Sequence, residues 1–271
     1  MAALLFRAWD AGMSNKLRAS FVWFVAAAMF YSAWVITAFY TAWFFGLFSC
    51  FSLLIFALSR PRRLLQAVHA GRRMAIPAAA GVVVLLVGLV PFALVYLPKA
   101  AETGMHPFSE AMTFSPSAFD TFNVGAKNWL FGAANAWINA VIRPGLPLGG
   151  ERTSGLPPLL ILVFSAATTW LCFTRAARPH RLARIIALAS LVTWLISLHY
   201  GSFTPWRWIY ACMPGAAAVR VIARYQIFLV APVVAVGILW MATARLSRPL
   251  VACLAAALER DDFIRAHTLS F

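Results

Sequence analysis

The sequence predicts an all-α integral membrane protein: a polytopic helical bundle of about five or six spans with one long extracytoplasmic loop. Three observations carry that expectation. Of 271 residues, 62% are hydrophobic and 11% charged, with a mean hydropathy of +0.80. That leaves too little polar surface to cover a soluble domain of this size. The uncharged runs match or exceed the roughly 20 residues a helix needs to cross a bilayer, and outlast a barrel strand of about ten. The cations lie in short patches between apolar runs, which is the positive-inside distribution and excludes nucleic acid as the reason for the +15 formal charge.

Residues 1–20 carry Arg7, Asp10, Lys16 and Arg18 and read as an amphipathic cytoplasmic N-terminus. The apolar stretch that follows is much longer than that of a secretory signal, so retention is expected. Membrane helices are expected over 21–97. The first uncharged run, from Arg18 to Arg60, is about forty residues long. It fits two antiparallel helices turning near 38–40, or one interfacial helix over 21–37 followed by a span over 39–58; both remain open. Five arginines and no acid between Arg60 and Arg73 mark a cytoplasmic loop. The next span, 74–97, contains Pro91, a kink position whose freed carbonyl needs another donor.

Residues 98–156 form the long polar segment, with Glu102, Glu110, Asp120 and Glu151 balanced by Lys99, Lys127, Arg143 and Arg152. Near-neutral charge suits the extracytoplasmic side. Its length, with many Gly, Pro and Trp residues, predicts a loop folded over the membrane mouth, and 128–142 reads as a surface-lying helix. Further membrane helices are expected over 157–244, as spans at 156–174, 184–199 and 225–244. Residues 245–271 form a cytoplasmic tail.

The connector 200–224 should then be extracytoplasmic, yet it holds Arg207, Arg220 and Arg224. This breaks the charge bias. A charge near hydrocarbon is costly, about 2.5 kcal/mol or more at a helix centre. Arg220 and Arg224 are four apart and are expected to share a helical face, where planar guanidinium groups match phosphate oxygens bidentately. An anionic lipid head group would satisfy both, with Arg207 joining. The alternative is that they snorkel to ordinary lipid phosphates or pair with loop carboxylates such as Glu151.

Other chemistry is sparse. The phosphate-loop, dinucleotide, nucleophile-elbow and zinc-protease fingerprints are absent, so no cofactor and no metal is expected. The acids Glu259, Asp261 and Asp262 lie in a short tail without a supporting cradle. The five histidines are dispersed, and His199 at a span end reads as interfacial. Cys50, Cys172, Cys212 and Cys253 show no paired spacing; three of them fall in or near apolar runs and are expected as small buried hydrophobes.

Three strings then carry a resemblance. One is Phe114-Ser-Pro116 followed by Asp120, Gly125, Asn128 and Trp129. The second is Glu151-Arg-Thr-Ser-Gly-Leu-Pro. The third is Pro214-Gly-x-x-Ala-Val-Arg220-Val-x-Ala-Arg224-Tyr. With the run Phe39-Tyr-Thr-Ala-Trp-Phe-Phe-Gly, they resemble, over about residues 30 to 245, the C-terminal half of bacterial membrane glycosyltransferases of the GT-C type. The resemblance implies sugar transfer from a polyprenyl-phosphate donor at the outer face of the bacterial inner membrane. It also implies lipid-phosphate binding by Arg220 and Arg224, with Glu151, Asp120 and Glu110 as acceptor or salt-bridge candidates.

In that family the catalytic carboxylate usually lies in the first external loop, whereas the segment near 38–40 holds no acid. The expectation is therefore a glycosyltransferase-like chain lacking the catalytic N-terminal part, with membrane lipid as partner and a further protein supplying that part. The alternatives are a non-enzymatic membrane subunit or degenerate fragment, or a transporter or flippase of lipid-linked intermediates. The last should show ionisable residues or broken helices inside its spans, and these spans are nearly free of charge.

Overall fold

A computed structural model describes residues 1–61, 71–104, 106–142, 144–145, 150–174 and 178–244. Among these the chain is helical, with no β-sheet. Five helices are long and apolar enough to cross a membrane, and a sixth apolar helix is shorter. The protein is a multi-pass, all-α membrane protein. It divides into two compact units, Met1–Met105 and His106–Phe271.

In the first unit, α1 (Ala2–Met13) leads through a tight turn, with Asn15 at φ 57, into α2 (Leu17–Thr37). The chain then breaks at the single residue Ala38, φ −148 and ψ 66, and continues as α3 (Phe39–Ser59). Both helices qualify as spans, which favours the two-helix reading of this run. Contacts pair residues about Ala38: Trp34 Nε1–H donates to Thr41 Oγ1 at 2.9 Å and Tyr31 O–H to the Ala42 carbonyl at 3.0 Å. The helices therefore run antiparallel from the turn. These side chains supply partners around a turn that has left the regular helical ladder.

A 3-10 turn, Arg72–Met74, opens α4 (Ala75–Thr103). This helix outlasts the predicted span by six residues, so Lys99 and Glu102 sit on its last turns and pair at 3.3 Å. It carries both Pro91 and Pro98. α4 packs on α2 through glycines. A Cβ at Gly81 would meet Phe24 at 3.2 Å, and one at Gly88 would fall 2.5 Å from Ser32 Oγ. Position increases together along both helices, so they run parallel. Without a hydrophobic drive between helices in lipid, such close approach supplies the packing.

In the second unit, the long apolar helices are α8 (Arg178–Ser197) and α10 (Arg224–Thr243), with the shorter apolar helix α7 (Pro158–Phe173) before them. This unit also holds α5 (Phe108–Thr113), α6 (Gly132–Trp137) and α9 (Trp206–Cys212). Ala167, Leu171, Ala183, Ala187 and Val236 form the core where α7, α8 and α10 meet. Arg184, predicted to open a span, instead lies one and a half turns inside α8. Its Nε–H donates to the Leu171 carbonyl at 2.8 Å and its Nη2 to Thr174, so it caps the C-terminal end of α7.

The expected surface helix over 128–142 starts later, at Gly132, and its last turn is π-helical over Ile138–Ile142. Asn128 is the reason. Its Oδ1 accepts the N–H groups of Leu130 and Phe131 at 3.1 and 2.8 Å, a local turn that competes with helix. Trp129, Trp137 and Val141 are exposed.

The cysteine expectation is corrected. Cys50, Cys172 and Cys212 are free and exposed. A span's outer face meets hydrocarbon, so a thiol gains nothing there from being inside. Residues 62–70 of the predicted basic loop between Arg60 and Arg73, Arg143, Cys253, the tail acids Glu259, Asp261 and Asp262, and the tail 245–271 lie outside the described residues.

Candidate functional site at the Ala223 corner

The three strings singled out in the sequence meet at one residue. Ala223 is fully buried. Its N–H donates to the Phe114 carbonyl at 3.0 Å, and its carbonyl accepts the Ser154 hydroxyl at 2.8 Å. The first string is also sewn to the end of α8. His199 N–H donates to the Pro116 carbonyl at 2.9 Å, and Ser115 O–H to the Ser197 carbonyl at 3.0 Å. The second string is sewn to the first, with Gly155 N–H on Asn123 and Leu156 N–H on Thr121. A Cβ at Gly155 would lie 2.6 Å from the Asn123 nitrogen, so only glycine permits that approach. The described parts of this segment in the second unit are therefore bonded to the end of α8 and to the residue that precedes α10.

Two arginines flank this corner, but not on one helical face. Pro214 and Gly215, at φ 79, break the chain after α9, and a short turn, Ala216–Ala218, follows. Val219 and Val221 are buried to either side of Arg220. That alternation belongs to extended chain, where neighbouring side chains point oppositely. α10 starts only at Arg224. The expectation of a shared helical face is corrected: each guanidinium has its own carboxylate.

Arg224 is held side-on by Glu151. Nε–H donates to Oε2 at 3.1 Å and Nη2–H to Oε1 at 2.9 Å, with the two side chains 44% and 35% exposed. Arg220 lies 3.7 Å from Glu110, an ion pair rather than a hydrogen bond, and its guanidinium stands 5.2 Å from the centre of the Phe114 ring. Glu110 takes its hydrogen bond from His106 instead. The Nδ1···Oε2 distance is 2.9 Å, and because an ionised carboxylate only accepts, Nδ1 carries the proton. Tyr210 O–H donates to the His106 carbonyl. His106 is a member of the cluster that the sequence reading passed over. Its only signal was the four-residue spacing to Glu110.

The other candidates are placed apart from these pairs. Arg207 is exposed on α9 and has no ion-pair partner among the described residues. Asp120 is fully buried in a capping box: Ser117 N–H and O–H both donate to its Oδ2, at 2.6 and 2.9 Å. Its carboxylate holds the turn Ala118–Phe122 in place.

Beside this corner, α7, α8, α10 and the Ala118–Phe122 turn enclose a half-open cavity of about 420 Å³. Its walls are apolar, including Phe122, Leu156, Phe164, Trp194, Leu229 and Val233. Thr121 lines it at one end and accepts hydrogen bonds from Trp194 Nε1 and Gln226 Nε2 at 3.0 and 3.3 Å. Leu156, on the cavity wall, is joined to the Arg224–Glu151 pair by the four residues that separate it from Glu151. Ser165, Thr168, Thr169 and Ser190 also line the cavity. The run Ser165-Ala-Ala-Thr-Thr, within an apolar helix, is a sequence signal for this groove that the reading of the sequence did not use.

Among the described residues, no group of three His, Cys, Asp or Glu side chains converges as a metal site. No protein-family model, curated protein or solved structure matches this chain.

Proposed function

We propose that this chain binds a polyprenyl-phosphate-linked sugar, as the GT-C-type glycosyltransferases that its sequence resembles do. The phosphate would sit at the Ala223 corner and the isoprenoid chain in the adjoining groove. The observation that carries this reading is the continuity of the two sites along residues 151–156. A half-exposed bidentate arginine stands at one end of that segment, and an apolar cavity lies at the other. An amphiphile with an anionic head needs both, in that order. A phosphate can take the place of Glu151 or Glu110, since carboxylate and phosphate oxygens both accept from the planar guanidinium fork. The cavity lies within the size range of small-molecule sites, about 300–1,000 Å³. The distribution of cations along the sequence supports the inner membrane as location, with the N-terminus cytoplasmic.

In a transferase of this kind, an acceptor oxygen attacks the anomeric carbon while the carbon–oxygen bond to the lipid phosphate breaks, inverting the centre. The leaving phosphate keeps the electron pair, and the arginines stabilise that charge as it develops. No residue of this chain is assigned the attacking step. The test is sugar transfer from a radiolabelled polyprenyl-phosphate donor by purified chain in lipid, with an Arg220→Ala, Arg224→Ala control. Turnover that the control lacks is the result expected of an enzyme.

A second reading has its own support. Both arginines already have carboxylate partners, at 2.9 and 3.7 Å. A non-enzymatic membrane subunit would use these pairs only to fasten loop to span. Well-folded protein that neither turns over nor binds the donor supports this reading instead.

A further inference from the structure

We infer that α1 is a membrane-surface helix, lying in the head-group layer with Phe6, Trp9 and Met13 sunk into lipid. The inference is independent of the donor reading, because it rests on the first unit alone. At about 100° per residue, the side chains of α1 divide into three directions. Ala8 and Gly12, both buried, face the protein. Ser20 O–H donates to the Ala8 carbonyl at 2.8 Å, and a Cβ at Gly12 would collide with Met74 Sδ. The next sector holds Leu5, Trp9, Met13 and Phe6, exposed by 38%, 38%, 55% and 70%. Arg7 and Asp10 occupy the remaining side, where the Arg7 guanidinium stands 5.0 Å from the Trp23 ring centre.

Ser20 is in the first turn of α2, and Met74 is in the first turn of the Arg72–Glu102 span. α1 therefore crosses two candidate spans at the level where both begin. A helix there has protein on one side, hydrocarbon below and water above, and the three sectors match those surroundings in kind. The small residues let the backbones approach. The bulky apolar fan would otherwise be a surface liability. The charge also fits a lipid surface. Arg7, Lys16, Arg18, Arg72 and Arg73 are exposed near this level, against the acid Asp10, among the described residues. Such a cluster is attracted to anionic head groups.

The test uses the full chain in phosphatidylcholine–phosphatidylglycerol nanodiscs, with Cys50, Cys172, Cys212 and Cys253 changed to serine and single spin labels at positions 3, 7, 9 and 13, two on each of the faces that the helical period separates. Labels at 9 and 13 should be accessible to oxygen and shielded from a water-soluble nickel chelate. Labels at 3 and 7 should show the reverse. Labels at 9 and 13 as open to the chelate as that at 3 would place α1 in water and overturn the inference. Labels closed to both probes would mean that protein covers the face, which overturns it equally. If the serine background misfolds, hydroxyl-radical footprinting of the unaltered chain decides. Met13 should be oxidised as slowly as Met29, which is exposed on the span α2, and fast oxidation of Met13 contradicts the inference.

Discussion

Glu151 holds Arg224 by two parallel hydrogen bonds, 3.1 and 2.9 Å long, and so fastens the last turn of the long loop to the first residue of a membrane span. The pair is more than a third exposed on the arginine side. Its contribution to stability should be correspondingly small. Either Glu151→Gln or Arg224→Ala is expected to lower stability by about 1 kcal/mol or less. Thermal unfolding in nanodiscs checks this, and a loss several times larger would show that the pair is a structural bolt rather than an exchangeable clasp.

Asp120 should matter more than either arginine. Its carboxylate receives two hydrogen bonds from Ser117 in a fully buried turn. Asp120→Ala leaves those donors unmatched, and about 1–3 kcal/mol should be lost. The same thermal measurement applies. Asp120→Asn, which keeps an acceptor, is expected to recover part of it.

Gly155 is expected to be intolerant of any side chain. A Cβ there would meet the Asn123 nitrogen at 2.6 Å and the Asp120 carbonyl oxygen at 2.7 Å, both backbone. Backbone cannot swing aside as a flexible side chain can. Gly155→Ala should therefore destabilise by about 1–3 kcal/mol and separate the loop from the groove. Faster proteolysis after residue 150, compared with wild type, is the readout.

Gly88 and Ser32 form a pair that can be tested as a cycle. Gly88→Ala places a Cβ 2.5 Å from Ser32 Oγ and 2.8 Å from its Cβ. The single change should weaken the α2–α4 packing. Ser32→Gly in the same chain removes both clashing atoms and should recover much of the loss. The coupling should fall within the range of about 0.5–3 kcal/mol expected of residues in contact. Additive effects would mean that the helices do not approach at this position.

The spans were legible because a bilayer imposes length and apolarity on them directly. The ends of α2, α3 and α10 fall within a few residues of the expected runs. The site was legible in composition but not in geometry. Arg220, Arg224, Glu110 and Glu151 do meet at one corner, yet the four-residue spacing suggested a helix where Val219 and Val221 alternate with Arg220 in extended chain. Spacing alone cannot separate these, because both periods place some residues together and Pro214-Gly215 decides between them. His106 was overlooked because the group that gives it meaning is the pair of its neighbour Glu110 with Arg220, and those two are distant in sequence and near only after folding.

The most direct test of the central claim is the affinity of a polyprenyl-phosphate sugar for the chain in nanodiscs, measured beside Arg224→Ala, Glu151→Gln and Thr169→Trp. Thr169 is exposed and lines the groove, so tryptophan there fills it from the open side. The account predicts saturable binding that Arg224→Ala and Thr169→Trp each weaken, and that Glu151→Gln preserves or tightens by releasing the guanidinium. Equal binding by all four proteins, or none by folded wild type, would contradict it.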